Sequence, residues 1–262
     1  MPDSITTIAR DTDAPPLRII STPGRPSITA ASRISLLTVD RHPHLIRGNG
    51  IDWGSGTGVL AVAAATHPGV DLVVGLELNA AESATARTNA ELNGVADRTA
   101  FLVADSYQPV AGQDMTVLDS LRGATDFLLA NPPTSRGDDG LGLRRRVLRE
   151  GLPFLRTGGN VLLQVSRQYG QIRTEQLTAD TGPFEYRGLL ETSDWVPFDQ
   201  DRPDLRDALD WYVIEENKSG LIYPFHHPTQ DREISASDAQ KLRDRDGSSP
   251  RSQWQMHHLV RR

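Results

Sequence analysis

The sequence predicts an α/β chain built on a doubly wound, mostly parallel sheet, and three observations carry that prediction. Short apolar runs alternate with longer amphipathic ones through most of the chain. The runs are continuous rather than alternating, as strands covered on both faces require. Helix start and stop signals fall between them, where crossover helices belong. About seven strands are expected, with an antiparallel edge.

Each element has its own warrant. Ile34, Leu36, Leu37 and Val39 line one face of a helix over Thr29 to Val39, which His42-Pro43-His44 ends, because the residue before a proline avoids the helical region. The candidate strands are Gly50 to Trp53, Leu72 to Leu76, Ala100 to Ala104, Phe127 to Ala130 and Val161 to Val165. Helical patterns fill Gly58 to Ala65, Ala80 to Leu92 and Leu141 to Leu155, the last with Leu143, Val147, Leu148 and Leu152 inward. Asn79 with Glu82 starts the second as a capping box would, and Asn93-Gly94 stops it. Tyr186 to Glu191 and Trp211 to Glu216 read as two further strands forming the antiparallel edge. The expected organisation is a mobile arm over 1–28, rich in Thr, Ser, Asp and Pro, a domain over 29–228, and a polar extension over 229–262.

Composition excludes several classes. The chain has 262 residues, 37% of them hydrophobic, enough for a sizeable core. Its longest uninterrupted apolar run, Val59 to Ala65, is far shorter than the roughly 20 residues a bilayer helix needs, so no membrane partner is expected. A net charge of −6 disfavours a general electrostatic hold on nucleic acid. With no Cys, disulfides, thiolate catalysis and Cys-zinc sites are excluded. Met1-Pro2-Asp3-Ser4 lacks a basic-then-apolar export signal, so the expected compartment is the cytoplasm. His257-His258 in a charged tail are too sparse for a metal site, and no metal is expected.

Gly54-Ser55-Gly56-Thr57-Gly58 follows the first strong strand and opens a helix, where glycines let the backbone approach a ligand. Counted from Gly56, the dinucleotide form ending in alanine fits through Ala61, which leaves a nicotinamide or flavin cofactor open. No Lys is near for a P-loop. The fuller pattern is D-x-G-x-G-x-G from Asp52, with Glu77 closing the next strand, where a carboxylate can accept both hydroxyl protons of a ribose.

These residues resemble the class I S-adenosylmethionine-dependent methyltransferases over roughly Gly48 to Ser166, with weaker continuation to Glu216. The resemblance implies a Rossmann-like fold and S-adenosylmethionine as cofactor. It implies that Asp52 lies by the amino acid end of the cofactor, that Gly54, Gly56 and Gly58 pass beneath it, that Glu77 holds the ribose, and that Asp105 contacts the adenine N6.

Asn131-Pro132-Pro133-Thr134 stands at the carboxyl end of the fourth strand, where open α/β sheets bind ligands. Two prolines stop the strand and stiffen the backbone, holding the Asn131 amide and the Pro132 carbonyl in place. Both can accept a hydrogen bond from one NH2 group, which would orient its nitrogen for in-line methyl transfer. The stretch is similar to the Asn-Pro-Pro-aromatic motif of methyltransferases acting on nitrogen, above all the protein-glutamine branch. That resemblance implies Asn131 and Pro132 as catalytic positions and Asn131, Pro133 and Thr134 as substrate contacts. Thr134 replaces the usual aromatic platform, which disfavours a flipped nucleobase. The expected activity is methylation of an amine, amide or guanidine nitrogen on a small molecule or peptide. The alternatives are a protein-glutamine, ribosomal RNA or nucleobase N-methyltransferase, or a noncatalytic cofactor-binding partner subunit.

Other residues have structural readings. His226 or His227 could sit over the pocket as a base, but a structural role is favoured. Trp195, Phe198 and Trp211 read as core, and Arg144-Arg145-Arg146 as the solvated face of a helix.

Overall fold

The computed structural model describes residues 5–12, 14–21, 28–136 and 138–262. A hairpin of β1 (Ile5–Ile8) and β2 (Leu17–Ile20) precedes α1 (Ala30–Arg41). Strand and helix then alternate through β3 (Gly48–Trp53), α2 (Val59–Ala65), β4 (Val70–Glu77), α3 (Ala80–Leu92) and β5 (Thr99–Asp105). The short β6 (Gln108–Pro109) turns back on β5, and α4 (Gly112–Asp119) leads to β7 (Thr125–Ala130), α5 (Gly142–Gly151) and β8 (Leu155–Ser166). There follow α6 (Gly170–Ala179), β9 (Phe184–Thr192), β10 (Val196–Pro197) and α7 (Pro203–Ser219). The chain continues with β11 (Phe225–His226), β12 (Glu233–Ile234), α8 (Ala236–Asp246), β13 (Arg251–Ser252) and β14 (Trp254–Arg261).

The central sheet has eight strands in the order β6-β5-β4-β3-β7-β8-β14-β9. From β5 to β8 its pairings are parallel, whereas β14 pairs antiparallel with both β8 and β9. The fold is therefore the expected Rossmann-like α/β sheet with an antiparallel edge. Strand order reverses at β3, which lies between β4 and β7, and open α/β sheets bind ligands outside the carboxyl ends of the strands at such a switch point. A core fills each face. Ile51, Leu128, Val161 and Leu163 belong to one, with Val147 and Leu148 of α5. Val73, Phe127, Leu129 and Leu162 belong to the other, with the apolar α2 and residues of α1 and α3. Each fully buried side chain of this kind contributes about 1.5–3 kcal/mol, which fixes the strand ends at that switch point.

Three expectations are corrected. Trp211 to Glu216 is not a strand but part of α7, where Leu205, Ala208, Leu209, Tyr212 and Val213 bury one helical face. Pro203 in its first turn and left-handed Gly220 at its end are helix punctuation. The polar extension holds a strand of the main sheet: β14 lies between β8 and β9, with Met256, His257 and Leu259 buried. Two of its ring nitrogens find partners inside the fold, His257 Nδ1 in the Tyr186 hydroxyl at 2.9 Å and His258 Nε2 in Asn160 Oδ1 at 2.9 Å. His257-His258 thus lie in the sheet rather than in a charged tail, and burial with the nearby Arg144 charge lowers the His257 pKa to about 4. Finally, the described part of the arm forms a hairpin that buries Ile8, Leu17 and Ile19 against the α1–α2–α3 core. Residues 1–4, 13 and 22–27 of that arm lie outside the described residues.

Candidate functional site

The glycine loop joins β3 to α2. Gly54, Gly56 and Gly58 all have left-handed backbones, with φ of 69°, 53° and 82°. At Gly58 glycine is required twice over, because a Cβ there would come within 2.8 Å of Ala86 Cβ and 3.0 Å of the Phe101 ring. A Cβ at Gly54 would meet no atom within 4 Å, so that side of the loop is open to a ligand. The Leu76 carbonyl accepts from both the Gly54 and Ser55 N–H groups, at 2.9 and 3.0 Å, and ties the loop to the end of β4.

Glu77, the last residue of β4, faces the loop. Its Oε2 accepts from the Gly56 N–H at 2.8 Å and its Oε1 from the Asn79 N–H at 2.8 Å. Each carboxylate oxygen keeps a lone pair for a further donor. Asp52 takes a different place from Glu77. It is 1% exposed, and its Oδ2 accepts from the Ala61 N–H at 3.0 Å, so it supports the first turn of α2 from beneath the loop. Burial raises its pKa to about 7; the Ala61 N–H opposes that shift and the Glu77 charge adds to it. Asp105 is exposed at the end of β5 and pairs with Arg146 Nη1 at 2.8 Å. Beside it Ser106 has a left-handed φ of 56°, and its hydroxyl accepts from the Trp53 indole N–H at 2.7 Å.

Across β3, Asn131 follows the end of β7. Its Nδ2 lies 3.4 Å from the Ser32 hydroxyl of α1. The two proline carbonyls behind it share one donor. Arg144 of α5 gives Nη2 to the Pro132 carbonyl at 3.0 Å and Nη1 to the Pro133 carbonyl at 3.2 Å. The same guanidinium donates Nε to the Gln164 carbonyl at 2.9 Å and Nη2 to Gln164 Oε1 at 3.0 Å. Arg144 is 2% exposed, and among the described residues no carboxylate pairs with it; burial lowers its pKa. Thr134 Oγ1 lies 3.4 Å from both the Tyr212 and the Tyr169 hydroxyls, in a buried aromatic group completed by Tyr223.

The structure thus brings Glu77, the glycine loop and the Asn131 loop to adjacent strand ends, with Asp105 one strand further out. The solvated-face reading of Arg144-Arg145-Arg146 is corrected for Arg144, which is a buried support of the Asn131 loop. The signal was present, since Leu141, Arg144 and Leu148 share one helical face, and the charge hid it. Arg145 pairs with Asp139, and an open groove lined by Asp138, Gly142, Arg145, Arg146, Arg149 and Glu150 runs along α5. The imidazoles in question serve local structure: His227 Nδ1 accepts from the Thr229 and Gln230 N–H groups. Phe198 is core, Trp211 packs on Tyr212 and Tyr223, and Trp195 stacks near His226. Among the described residues, no helix is long and apolar enough to cross a membrane, and no three His, Asp or Glu gather as metal ligands.

Residues 18–180 match the family model described as the methyltransferase small domain. A ribosomal protein L11 methyltransferase of Haemophilus influenzae is 37% identical over 73 residues, 28% of this chain and 24% of that protein. The chain therefore aligns with about a quarter of the length of that curated relative. Among solved structures, the YcgJ protein of Bacillus subtilis is 12% identical with a TM-score of 0.53, over 87% of this chain and 98% of that one. A methyltransferase from Pyrococcus furiosus is 18% identical with a TM-score of 0.51, over 68% of this chain and 85% of that one. Both are similar in fold.

Proposed function

The chain belongs to the methyltransferase small domain family, and from that membership we propose that it moves the methyl group of S-adenosylmethionine to a nitrogen of a small molecule or peptide. One observation carries the reading. The left-handed glycine loop, open at Gly54, lies between a carboxylate at the end of β4 and a rigid Asn-Pro-Pro turn at the end of β7. These residues fit the cofactor: glycines admit it closely, and Glu77 has lone pairs left for two ribose hydroxyls. Asp52 and Asp105 complete the proposed cofactor set with Gly54, Gly56, Gly58 and Glu77, although Asp52 acts through the loop it supports.

When bound, S-adenosylmethionine supplies an electrophilic methyl group. The chain's own part is positioning. Asn131 offers an amide oxygen to an acceptor NH2, and Pro133 and Thr134 border the same place. The Pro132 carbonyl already takes a charge-assisted bond from Arg144, so it keeps one lone pair for an acceptor. Holding the acceptor nitrogen in line removes orientational freedom before the reaction. An amide or neutral amine suits this place better than an ammonium, because Arg144 puts an uncompensated cation directly behind the loop.

The match to a ribosomal protein L11 methyltransferase favours a protein acceptor as a second reading. The test is calorimetric titration with S-adenosylmethionine and, separately, NAD, followed by labelled methyl transfer to amine, amide and peptide acceptors. The expected result is binding of S-adenosylmethionine alone, lost in Glu77→Ala, and transfer lost in Asn131→Ala with cofactor binding retained. Unchanged transfer in Asn131→Ala would overturn the acceptor assignment.

A further inference from the structure

Two asparagine side chains attach the N-terminal hairpin to α3 and its C-terminal cap. Asn93 Oδ1 accepts from the Arg18 N–H at 2.9 Å, and its Nδ2 donates to the Arg18 carbonyl at 2.8 Å. One helical turn earlier, Asn89 Oδ1 accepts from the Ile20 N–H at 2.7 Å, and its Nδ2 donates to the Ile20 carbonyl at 3.0 Å. Four helical residues rise about 6 Å and two strand residues about 6.6 Å, so two carboxamides on one helix face can serve β2 as a neighbouring strand would. The rest of the hairpin is fastened near α2, where buried Arg10 pairs with Asp40 and donates Nη1 to Thr66 Oγ1 at 2.5 Å.

The two asparagines differ in where the second amide hydrogen goes, which at Asn93 is to the Asn89 carbonyl at 2.7 Å. Asn89 is 0% exposed, and its Nδ2 also donates to the Thr57 carbonyl at 2.8 Å, in the middle of the glycine loop. An amide nitrogen has two hydrogens, so one goes to the hairpin and one to the loop. The hairpin fixes the rotation of that amide through the Ile20 N–H and carbonyl together. Were the hairpin to lift away, Asn89 would lose both bonds that orient it, and the Thr57 carbonyl would lose a directed donor.

We propose that Asn89 is a positioning residue for the cofactor site, making the glycine loop competent to bind only when the N-terminal hairpin is docked. The inference rests on the glycine loop being the S-adenosylmethionine site. By linkage, cofactor binding and hairpin docking must then favour one another to the same degree. Asn93 supplies the internal control, because it bonds only the Arg18 end of the hairpin and does not touch the loop, and in its absence the Asn89–Ile20 bonds and the Arg10–Asp40 pair still hold the hairpin docked.

The experiment titrates the full chain calorimetrically with S-adenosylhomocysteine, as wild type, Asn89→Ala, Asn93→Ala and Ile20→Pro. Amide exchange of residues 5–20 is followed with and without that ligand. Asn89→Ala should bind about tenfold more weakly, a loss on the order of one directed buried hydrogen bond, and Asn93→Ala within about twofold of wild type. The ligand should slow exchange in the wild-type hairpin and not in the Asn89→Ala hairpin, a readout that a purely structural asparagine would not move. Ile20→Pro removes the hairpin's N–H and leaves α3 intact, so it decides the matter if Asn89→Ala does not fold; it too should weaken binding. Wild-type affinity in Asn89→Ala or Ile20→Pro, or an equal loss in Asn93→Ala, overturns the inference. No binding by wild type overturns the cofactor reading itself and the inference with it.

Discussion

Replacing Asp52 by Asn should make the protein more stable, and increasingly so as pH rises. Asp52 is almost wholly buried, and its pKa is raised from 3.8 to about 7, first by burial. The folded state therefore holds this proton more tightly than the unfolded chain does. The stabilisation is complete below the unfolded value near pH 4, and it is lost as pH rises through the folded value near 7. Three units correspond to about 4 kcal/mol at 1.36 kcal/mol each, of which about 2 kcal/mol falls between pH 5 and pH 7. Asn keeps an oxygen for the Ala61 N–H and nearly the same shape, and it removes the ionisation.

The assay is urea unfolding of both proteins at several values from pH 5 to pH 8.5, with the slope of free energy against urea checked for constancy. The difference between them should widen by about 3 kcal/mol over that range and level off above pH 7. Other titrating groups, His257 included, are common to both proteins and cancel in the difference. A constant difference would refute the reasoning, because it would place the Asp52 carboxylate in the same protonation state in both the folded and the unfolded chain. A difference of the opposite sign, with the variant losing stability at high pH, would show that the charged Ala61 bond outweighs desolvation.

Two further outcomes follow from the same geometry. Arg144→Met should destabilise the chain by about 3 kcal/mol in urea unfolding, because it strands buried carbonyls of Pro132, Pro133 and Gln164. It should also reduce methyl transfer more than cofactor affinity, and Arg144→Lys should not restore transfer, since an ammonium lacks the planar fork that spans those carbonyls. Gly54→Ala and Gly58→Ala share the left-handed strain of about 1–2 kcal/mol. Gly58→Ala adds a 2.8 Å clash with Ala86, so thermal unfolding should rank it well below Gly54→Ala, while cofactor titration should show Gly54→Ala impaired by intrusion into the open side.

Much of the fold is legible because the parallel strands are buried on both faces and so read as unbroken apolar runs. The helices between them carry local punctuation, such as Asn79, whose Oδ1 accepts from the Ala81 N–H at 2.9 Å. Legibility fails where the deciding partner is far away in sequence. Trp211, Tyr212, Val213 and Ile214 are residues that favour strands, but Leu205, Ala208 and Leu209 upstream set a helical face that their own window does not show. In β14 the two histidines and Arg261 look like solvated tail residues. They are tolerated inside a sheet because Tyr186, Asn160 and the Leu152 carbonyl, 2.9 Å from Arg261 Nη1, each meet one of their polar atoms.

The same rule divides the candidate site. The glycines and the prolines announce themselves because backbone geometry demands those residue types, and Asp52, Glu77 and Asn131 because they stand at fixed local spacings from them. Arg144 and Asn89 do not, because nothing local requires them; each matters through carbonyls contributed by other elements. They also explain why the loops can be small. A five-residue glycine turn with three left-handed positions would hold many conformations alone, and a proline turn, though stiff in itself, still has to be oriented at its carbonyls. A buried guanidinium bonded to four carbonyl-type oxygens and a buried amide bonded to three backbone groups remove that freedom from behind. Neither side chain needs to stand in the open face to do so. Rigidity at the open face is therefore supplied by buried polar groups, leaving the face itself free for the proposed cofactor and acceptor.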